Sequence, residues 1–181
     1  MNLARSRFTE NFGRVNSLCF DRWIFDSGML FLSDRKWWGD QGLRSRWHNG
    51  LDLQRYASDG DAVKDLEHGM KVPMMFDGSV VRRIKDFLGE TFFAVHEIFD
   101  GDSQLFTIFG HLQPADCFHE GVSLSEGDVF AAVCGTSKAG VPAHIHLSAA
   151  LIPREIRVES LTWKIVDNDA RIRFIDPLDI V

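Results

Sequence analysis

The sequence predicts a mainly β protein, a compact antiparallel β-sheet structure in a single domain with few short helices. Short runs of β-branched and aromatic residues recur at close spacing from Leu51 onward. Turn-forming pairs such as Asp77-Gly78 separate these runs. The 181 residues, 45% of them hydrophobic, suit one domain with an ample core. No internal repeat or linker interrupts the pattern.

Hairpins are expected wherever two such runs flank a turn signal. The expected strand pairs are 72–76 with 79–81, 91–99 with 104–111, and 163–166 with 171–175. Further strands are predicted over Val129–Val133 and Ala143–Ala150. The one helix candidate is Asp59–His68, which is short and has a weak apolar stripe.

Three parts of the predicted domain, 1–181, differ in pattern. Residues 1–46 are rich in aromatics without a clean period, and we expect them to wrap the main body with short strands. Core packing is the default for these aromatics, and covering one side of a cleft is the alternative. Residues 47–150 hold the candidate catalytic core, and 151–181 are expected to form a C-terminal hairpin and a closing strand.

Composition excludes several classes of partner. The net charge of -6 comes from interspersed charges, which argues against binding to a nucleic-acid backbone. No apolar stretch approaches the length of a membrane-spanning helix. The first twenty residues lack the apolar core of a secretory signal, so the chain as written is expected in the cytoplasm. We expect a monomer.

Cysteine usage points away from disulfides and thiolate metal sites. Cys19, Cys117 and Cys134 are odd in number and form no Cys-x-x-Cys pair. All three are interpreted as small buried apolar side chains.

Two histidines stand four residues before an aspartate, and backbone geometry separates the two pairs. His96 and Asp100 lie in a strand-like run, where they would be about 13 Å apart and unable to share an ion. His96 is therefore interpreted as structural. Between His48 and Asp52, Asn49-Gly50 readily adopts positive φ, so a bend there can bring the two side chains together.

A second histidine pair, His144-Ile145-His146, supplies the rest of a candidate metal site. Side chains two apart on a strand leave the same face, with Cα atoms about 6.6 Å apart. A catalytic zinc needs three N/O ligands and one open position. His48, Asp52 and one histidine of this pair meet that need, and the other histidine stays free for substrate. His111, directly after Gly110, adds a further candidate.

Several blocks, in this order and spacing, resemble the lysostaphin-type zinc metallopeptidases, which cleave glycyl-glycine and other peptidoglycan cross-links. The resemblance covers about residues 46–150. The blocks are His48-Asn49-Gly50-Leu51-Asp52-Leu53, Asp77-Gly78-Ser79-Val80, Thr107-Ile108-Phe109-Gly110-His111-Leu112, Glu126-Gly127-Asp128 with Val133-Cys134-Gly135-Thr136, and His144-Ile145-His146-Leu147. The closing residues 174–178 are similar to the family's last strand entry.

The resemblance implies the family's fold, a duplicated hybrid or barrel-sandwich β motif. It implies one Zn²⁺ per chain, held by His48, Asp52 and His146, with His111 and His144 as the catalytic histidines. It also implies a peptidoglycan peptide or another short peptide as substrate, and relatives that are usually in the cell envelope or secreted. Which of the two catalytic histidines is the base stays open at this point.

The chain departs from the family pattern at three places. Ser148-Ala149-Ala150 follows the histidine pair where relatives usually have glutamate or a similar polar residue. The only tyrosine, Tyr56, comes after Asp52, whereas several relatives use one ahead of the first zinc ligand. Residues 137–142 differ from the usual glycine-rich loop.

Two alternative functions are considered. They are a non-catalytic member of the same fold that binds peptidoglycan or regulates a hydrolase, and a cupin-type metal protein. A cupin would need a Glu soon after His146, and none precedes Glu155.

Overall fold

Alternating apolar side chains along the central strands build the sheet that positions the site. The computed structural model describes residues 5–116, 118–135 and 141–181. These residues form the strands β1 (Phe20–Ile24), β2 (Leu51–Leu53), β3 (Arg55–Ser58), β4 (Ala62–Asp65), β5 (Lys71–Pro73), β6 (Gly78–Lys85), β7 (Glu90–Asp100), β8 (Ser103–Pro114), β9 (Ser123–Leu124), β10 (Val129–Val133), β11 (Ile145–Pro153) and β12 (Arg173–Ile175). The helices are α1 (Phe8–Val15) and α2 (Trp163–Val166), with 3-10 turns at Ser27–Met29, Val158–Ser160 and Pro177–Asp179.

The larger sheet follows the order β12-β11-β8-β7-β6-β9, with β2 paired to β11, and β10 paired to β8 and β5. The expected hairpin across residues 100–102 is confirmed, because Asp100 pairs with Ser103 in the β7–β8 ladder. Along β8 the odd residues Leu105 and Phe109 enter one apolar core. The even residues Phe106 and Ile108 enter a second core on the other face. Strand β8 is therefore buried on both faces of the sheet. The predicted mainly β, antiparallel fold class is confirmed.

The N-terminal segment contains a helix that the sequence did not predict. In α1, Phe8 and Phe12 are fully buried, and the Phe8 ring lies 6.1 Å from that of Phe109. Their spacing of four places both side chains on one face of the helix. The next element, β1, pairs with β3 in a separate three-stranded sheet. The first part of the segment thus belongs to the core.

Three secondary-structure predictions are wrong. The expected helix at Asp59–His68 is instead a turn and the edge strand β4, whose residues are all exposed and so show no apolar alternation. The expected hairpin at Asp77-Gly78 does not form, because β5 pairs with β10. The predicted C-terminal hairpin fails because residues 163–166 form α2, capped by the Thr162 hydroxyl, which accepts from the Ile165 amide.

The cysteine prediction is also corrected, since Cys19 is exposed and Cys134 is half-buried. Cys117 and residues 136–140, on which part of the predictions fell, lie outside the described residues. Among the described residues, no helix is long and apolar enough to cross a membrane.

Candidate active site

Three side chains converge at one end of the larger sheet. His146 lies near the start of β11, and Asp52 lies directly opposite it on β2 in the strand register. Their facing atoms, His146 Nδ1 and Asp52 Oδ1, are 2.9 Å apart. His48 Nε2 lies 3.1 Å from the same Asp52 oxygen and 3.2 Å from His146 Nδ1. The cluster is buried, with His48 only 3% and Asp52 only 2% exposed.

The chain between His48 and Asp52 is shaped differently from the expected bend. The two side chains come together as predicted, but neither Asn49 nor Gly50 has a positive φ, so the expected cause of the bend is wrong. Gly50 is instead required by close approach, because a Cβ there would lie 2.4 Å from the Leu147 carbonyl oxygen. The missing side chain lets this segment press against β11, which brings His48 next to His146.

Each member of the cluster is held from behind by another group. His48 Nδ1 lies 3.0 Å from the Leu30 carbonyl, and His146 Nε2 lies 2.9 Å from Ser148 Oγ. Asp52 Oδ2 accepts hydrogen bonds from Trp37 Nε1 at 2.7 Å and Arg44 Nη2 at 3.1 Å. Such outer contacts orient metal ligands and set their protonation.

The arrangement of protons fits a metal cation. A carbonyl oxygen only accepts, so the proton of neutral His48 sits on Nδ1 and its Nε2 presents a lone pair. That lone pair faces the carboxylate oxygen Asp52 Oδ1. Both atoms are electron-rich, so a cation between them would bind both. Tetrahedral zinc with ligands at 2.0–2.1 Å separates its ligand atoms by about 3.3 Å. The three atoms of His48, Asp52 and His146 are spaced close to that value, and this group could hold a metal ion.

Two further histidines lie beside the cluster. The ring of His144 lies 4.7 Å from that of His111, centre to centre, and its Nε2 is 3.9 Å from Asp52 Oδ1. His144 directly precedes β11, which starts at Ile145, two residues later than the start expected from the sequence. Its Nδ1 lies 2.8 Å from the Pro142 carbonyl, which places a proton on that nitrogen. Burial lowers the pKa of His144 to about 4, so this ring is neutral at pH 7.

His111 occupies a strained position and has a carboxylate partner. Its φ of +66° lies in the left-handed region, which is uncommon for a residue other than glycine. Its backbone N–H donates to Asp86 Oδ2 at 2.8 Å, and its Nδ1 lies 3.2 Å from the same oxygen. Burial opposes ionisation of Asp86, but the His111 contacts and neighbouring backbone amides hold its pKa below the usual range.

Sequence reasoning did not find Asp86, Trp37 or Arg44. Asp86 stands in Asp86-Phe87-Leu88-Gly89, which has the composition of a turn, and its side chain also bonds the turn amides of Leu88 and Gly89. Trp37 and Arg44 belong to the N-terminal segment, which therefore also forms one side of the cleft, the alternative role considered for it. No short motif signals these contacts, because Trp37 and Arg44 reach Asp52 only after the segment has folded across the site.

The five histidine and aspartate side chains predicted for the site line a single open cleft of about 740 Å³. Its rim carries apolar side chains, including Trp47 and Leu43, each 66% exposed, and Phe87, 50% exposed. The floor is thus polar and buried, and the rim is apolar and accessible.

The residues predicted to stand apart from the site do so. His96 is 1% exposed, with its Nε2 2.7 Å from Thr107 Oγ1, and Asp100 forms an ion pair with Arg173. Tyr56 is buried and its ring stacks on that of Phe20. The only tyrosine therefore takes no part in the cleft.

No family model and no curated protein matches the chain. Solved structures do match. LytU superposes with a TM-score of 0.50 at 16% identity, covering 87% of this chain and 86% of LytU. The catalytic domain of the antimicrobial peptidase lysostaphin from Staphylococcus simulans gives a TM-score of 0.49 at 14% identity, covering 76% of this chain and 80% of that domain.

A mutant catalytic domain of the prophage-encoded M23 protein EnpA from Enterococcus faecalis gives a TM-score of 0.44 at 22% identity, with coverage of 77% and 95%. Identities this low show the fold alone. The lysostaphin-type fold expected from the sequence motifs is confirmed.

Proposed function

We propose that this chain, which has the lysostaphin-type fold, is a zinc-dependent metalloendopeptidase that hydrolyses peptide cross-links of peptidoglycan. The observation that carries the proposal is the convergence of His48, Asp52 and His146, whose facing atoms lie 2.9–3.2 Å apart on the floor of an open cleft. Two more histidines, His111 and His144, stand beside them in the same cleft.

The chemistry follows from this donor set. Zinc held by His48 Nε2, Asp52 Oδ1 and His146 Nδ1 would lower the pKa of a bound water toward about 7 and polarise the scissile carbonyl. His111 and His144 would then share the proton work and the stabilisation of the oxyanion. One ring would accept the proton of the attacking water and pass it to the leaving nitrogen, and the other ring would lie beside the developing oxyanion.

The proposed substrate class rests on the motif resemblance and suits the shape of the cleft. An open groove with an apolar rim can take an extended peptide from both sides of the scissile bond. Glycyl-glycine bridges and D-Ala–diaminopimelate links are both candidates. All five side chains come from one chain, so we propose that a monomer is sufficient for activity.

Digestion of purified peptidoglycan tests the proposal. Walls with glycine bridges and walls with direct diaminopimelate links are incubated with the protein, with and without a chelator, and the released peptides are identified by mass. We expect cleavage of one wall type, its loss with chelator, and its return on adding zinc. A His111→Ala protein controls for contaminating hydrolases. Absence of chelator-sensitive cleavage from both walls would favour the non-catalytic, wall-binding alternative.

A further inference from the structure

We propose that Asp86 is the positioning residue of His111 and that it makes His111, rather than His144, the base of the reaction. The assignment of a base rests on the proposed hydrolysis, whereas the positioning contact is a property of the fold. No sequence motif marks Asp86, and it lies in the turn between β6 and β7, outside the metal cluster.

Asp86 holds the backbone of His111 in its strained conformation. The left-handed φ of +66° at His111 turns its N–H toward the β6–β7 turn, where Asp86 Oδ2 accepts it at 2.8 Å. Strain of this kind costs about 1–3 kcal/mol and persists only when neighbouring groups enforce it. Asp86 supplies that enforcement, so it sets where the His111 ring stands in the cleft.

The carboxylate is itself held by donors on both oxygens. Oδ1 accepts from the amides of Leu88 at 2.8 Å and Gly89 at 2.7 Å, which closes the turn. Oδ2 accepts from the Thr91 hydroxyl at 3.0 Å in addition to His111. A side chain bound at four points has one orientation, and it therefore defines the direction from which His111 Nδ1 is approached.

The donors and acceptors in the series Trp163–Thr91–Asp86 are assigned by starting from Trp163. Trp163 Nε1 is a donor only and lies 2.9 Å from Thr91 Oγ1. Thr91 accepts that bond, so its single hydroxyl proton is free for Asp86. Asp86 Oδ2 is thus an acceptor from every side, as an ionised carboxylate must be.

His111 Nδ1 faces an acceptor, so the ring proton belongs on this nitrogen. This nitrogen is buried and finds no well-aligned hydrogen-bond partner among the described residues, and Asp86 Oδ2 at 3.2 Å is its ion-pair contact. A buried donor is normally satisfied, and catalytic contacts of this length tighten when substrate binds. A proton on Nδ1 leaves Nε2 with the lone pair that a base needs.

His144 lacks this support. Its Nδ1 faces the Pro142 carbonyl, which can accept a hydrogen bond but carries no full charge to balance an imidazolium. The carboxylate near its Nε2, at 3.9 Å, is that of Asp52, whose charge the bound cation would balance. In the reaction we propose, the water oxygen bonds to the carbonyl carbon and one water proton moves to His111 Nε2. Asp86 balances the resulting positive charge. The proton then passes to the peptide nitrogen as the C–N bond breaks, giving a carboxylic acid and an amine. The remaining water proton moves from the acid to the amine, which leaves a carboxylate and an ammonium group.

Substitution Asp86→Asn tests the proposal, because the amide keeps an oxygen for the turn amides but turns an NH₂ group toward His111. We expect the proton of His111 to move from Nδ1 to Nε2, which long-range ¹H–¹⁵N correlation spectra of the zinc-loaded protein report directly. The His111 signals are assigned by their absence in His111→Gln. We expect kcat on peptidoglycan to fall by about 10²–10⁴-fold, as when a histidine base has the wrong tautomer, with KM within a few-fold.

Three controls separate positioning from folding. Zinc content and the thermal melting curve show whether Asp86→Asn remains folded and loaded, and Asp86→Glu should recover part of kcat. Asp176→Asn removes another turn-capping carboxylate, bonded to the Leu178 amide, and should leave the His111 tautomer and kcat unchanged.

The proposal is overturned if Asp86→Asn keeps the Nδ1–H tautomer, or if its kcat stays within about threefold of the wild type. Should the wild type cleave no wall preparation, the proposed function fails, but the tautomer measurement still decides whether Asp86 positions His111.

Discussion

Asp52 and Asp86 are both buried carboxylates next to histidines, yet their partners come from different distances along the chain. Asp52 is bound by Trp37, Arg44, His48 and His146, so its site assembles only when the N-terminal segment, β2 and β11 meet. Asp86 is bound mainly by its own turn and by Thr91, and only His111 comes from a distant position.

This difference indicates that the two carboxylates have different roles. Asp52 offers one oxygen to two imidazole nitrogens, an arrangement that suits a cation. Asp86 offers Oδ2 to the backbone and the ring of one histidine and lies outside the candidate cation cluster, an arrangement that suits control of a proton. Substitutions around Asp52 should therefore change metal content, and those around Asp86 should change turnover without changing metal content.

The largest effect is expected from His146→Ala, which removes one of the three proposed zinc ligands. Zinc content should fall from one equivalent per chain to background, and wall cleavage should disappear with it. Metal analysis after dialysis measures this. Retention of one zinc per chain would show that His146 is not a ligand and would contradict the assignment of metal binding to the residues around Asp52.

The second largest effect is expected from His111→Ala, which removes the histidine ring that contacts Asp86. Zinc content should stay at one per chain, because His111 lies outside the three-atom cluster. Turnover should fall by roughly 10²–10⁴-fold through loss of a positioned acid–base group. Rate assays and metal analysis on the same preparation test both halves, and loss of zinc in this variant would contradict the division between the two carboxylates.

A smaller effect is expected from Trp37→Phe, which keeps an aromatic ring but removes the N–H that bonds Asp52 Oδ2. Loss of such an outer contact typically lowers metal affinity by about 10–100-fold. Competition with a chelator measures the change. The matched control is Trp38→Phe, whose ring lies against Lys36 instead. Equal zinc affinity in the two variants would show that Trp37 does not support the ligand.

The smallest effect on turnover is expected at His96, which lies outside the cleft and whose ring nitrogens contact the Asp77 carbonyl and the Thr107 hydroxyl. Burial lowers its pKa to about 4, so the folded state resists protonation while the unfolded state takes up a proton near pH 6.5. The free energy of unfolding therefore keeps its full value with respect to this group above about pH 6.5. It decreases by up to about 3 kcal/mol as the pH falls toward 4.

His96→Gln should therefore reduce the acid dependence of the free energy of unfolding, measured by denaturant titration at several pH values. His68→Gln, at an exposed position, is the control. An unchanged pH dependence in His96→Gln would show that burial at this position does not control its proton.

Local patterns account for much of the fold and of the site. The β7–β8 hairpin follows from two long β-rich runs around one turn. The fold class follows from the recurrence of such runs. The exposed strand β4 and the short helix α2 were mispredicted because their form depends on partners elsewhere. β4 is stabilised by pairing with β3, and Trp163 of α2 donates to Thr91.

The sequence by itself named five of the side chains that line the cleft, because the order and spacing of their motifs resemble those of the lysostaphin-type peptidases. It did not show what holds them. Trp37, Arg44 and Asp86 make contacts with residues 8–25 positions away along the chain, and one of them, Asp86, accepts the backbone N–H of His111 in its left-handed conformation. The pair His144-Ile145-His146 shows the same limit. Strand periodicity predicts both rings on one face. Only the tertiary structure makes one ring a member of the candidate metal cluster and the other its neighbour, because that depends on which ring β2 brings Asp52 against.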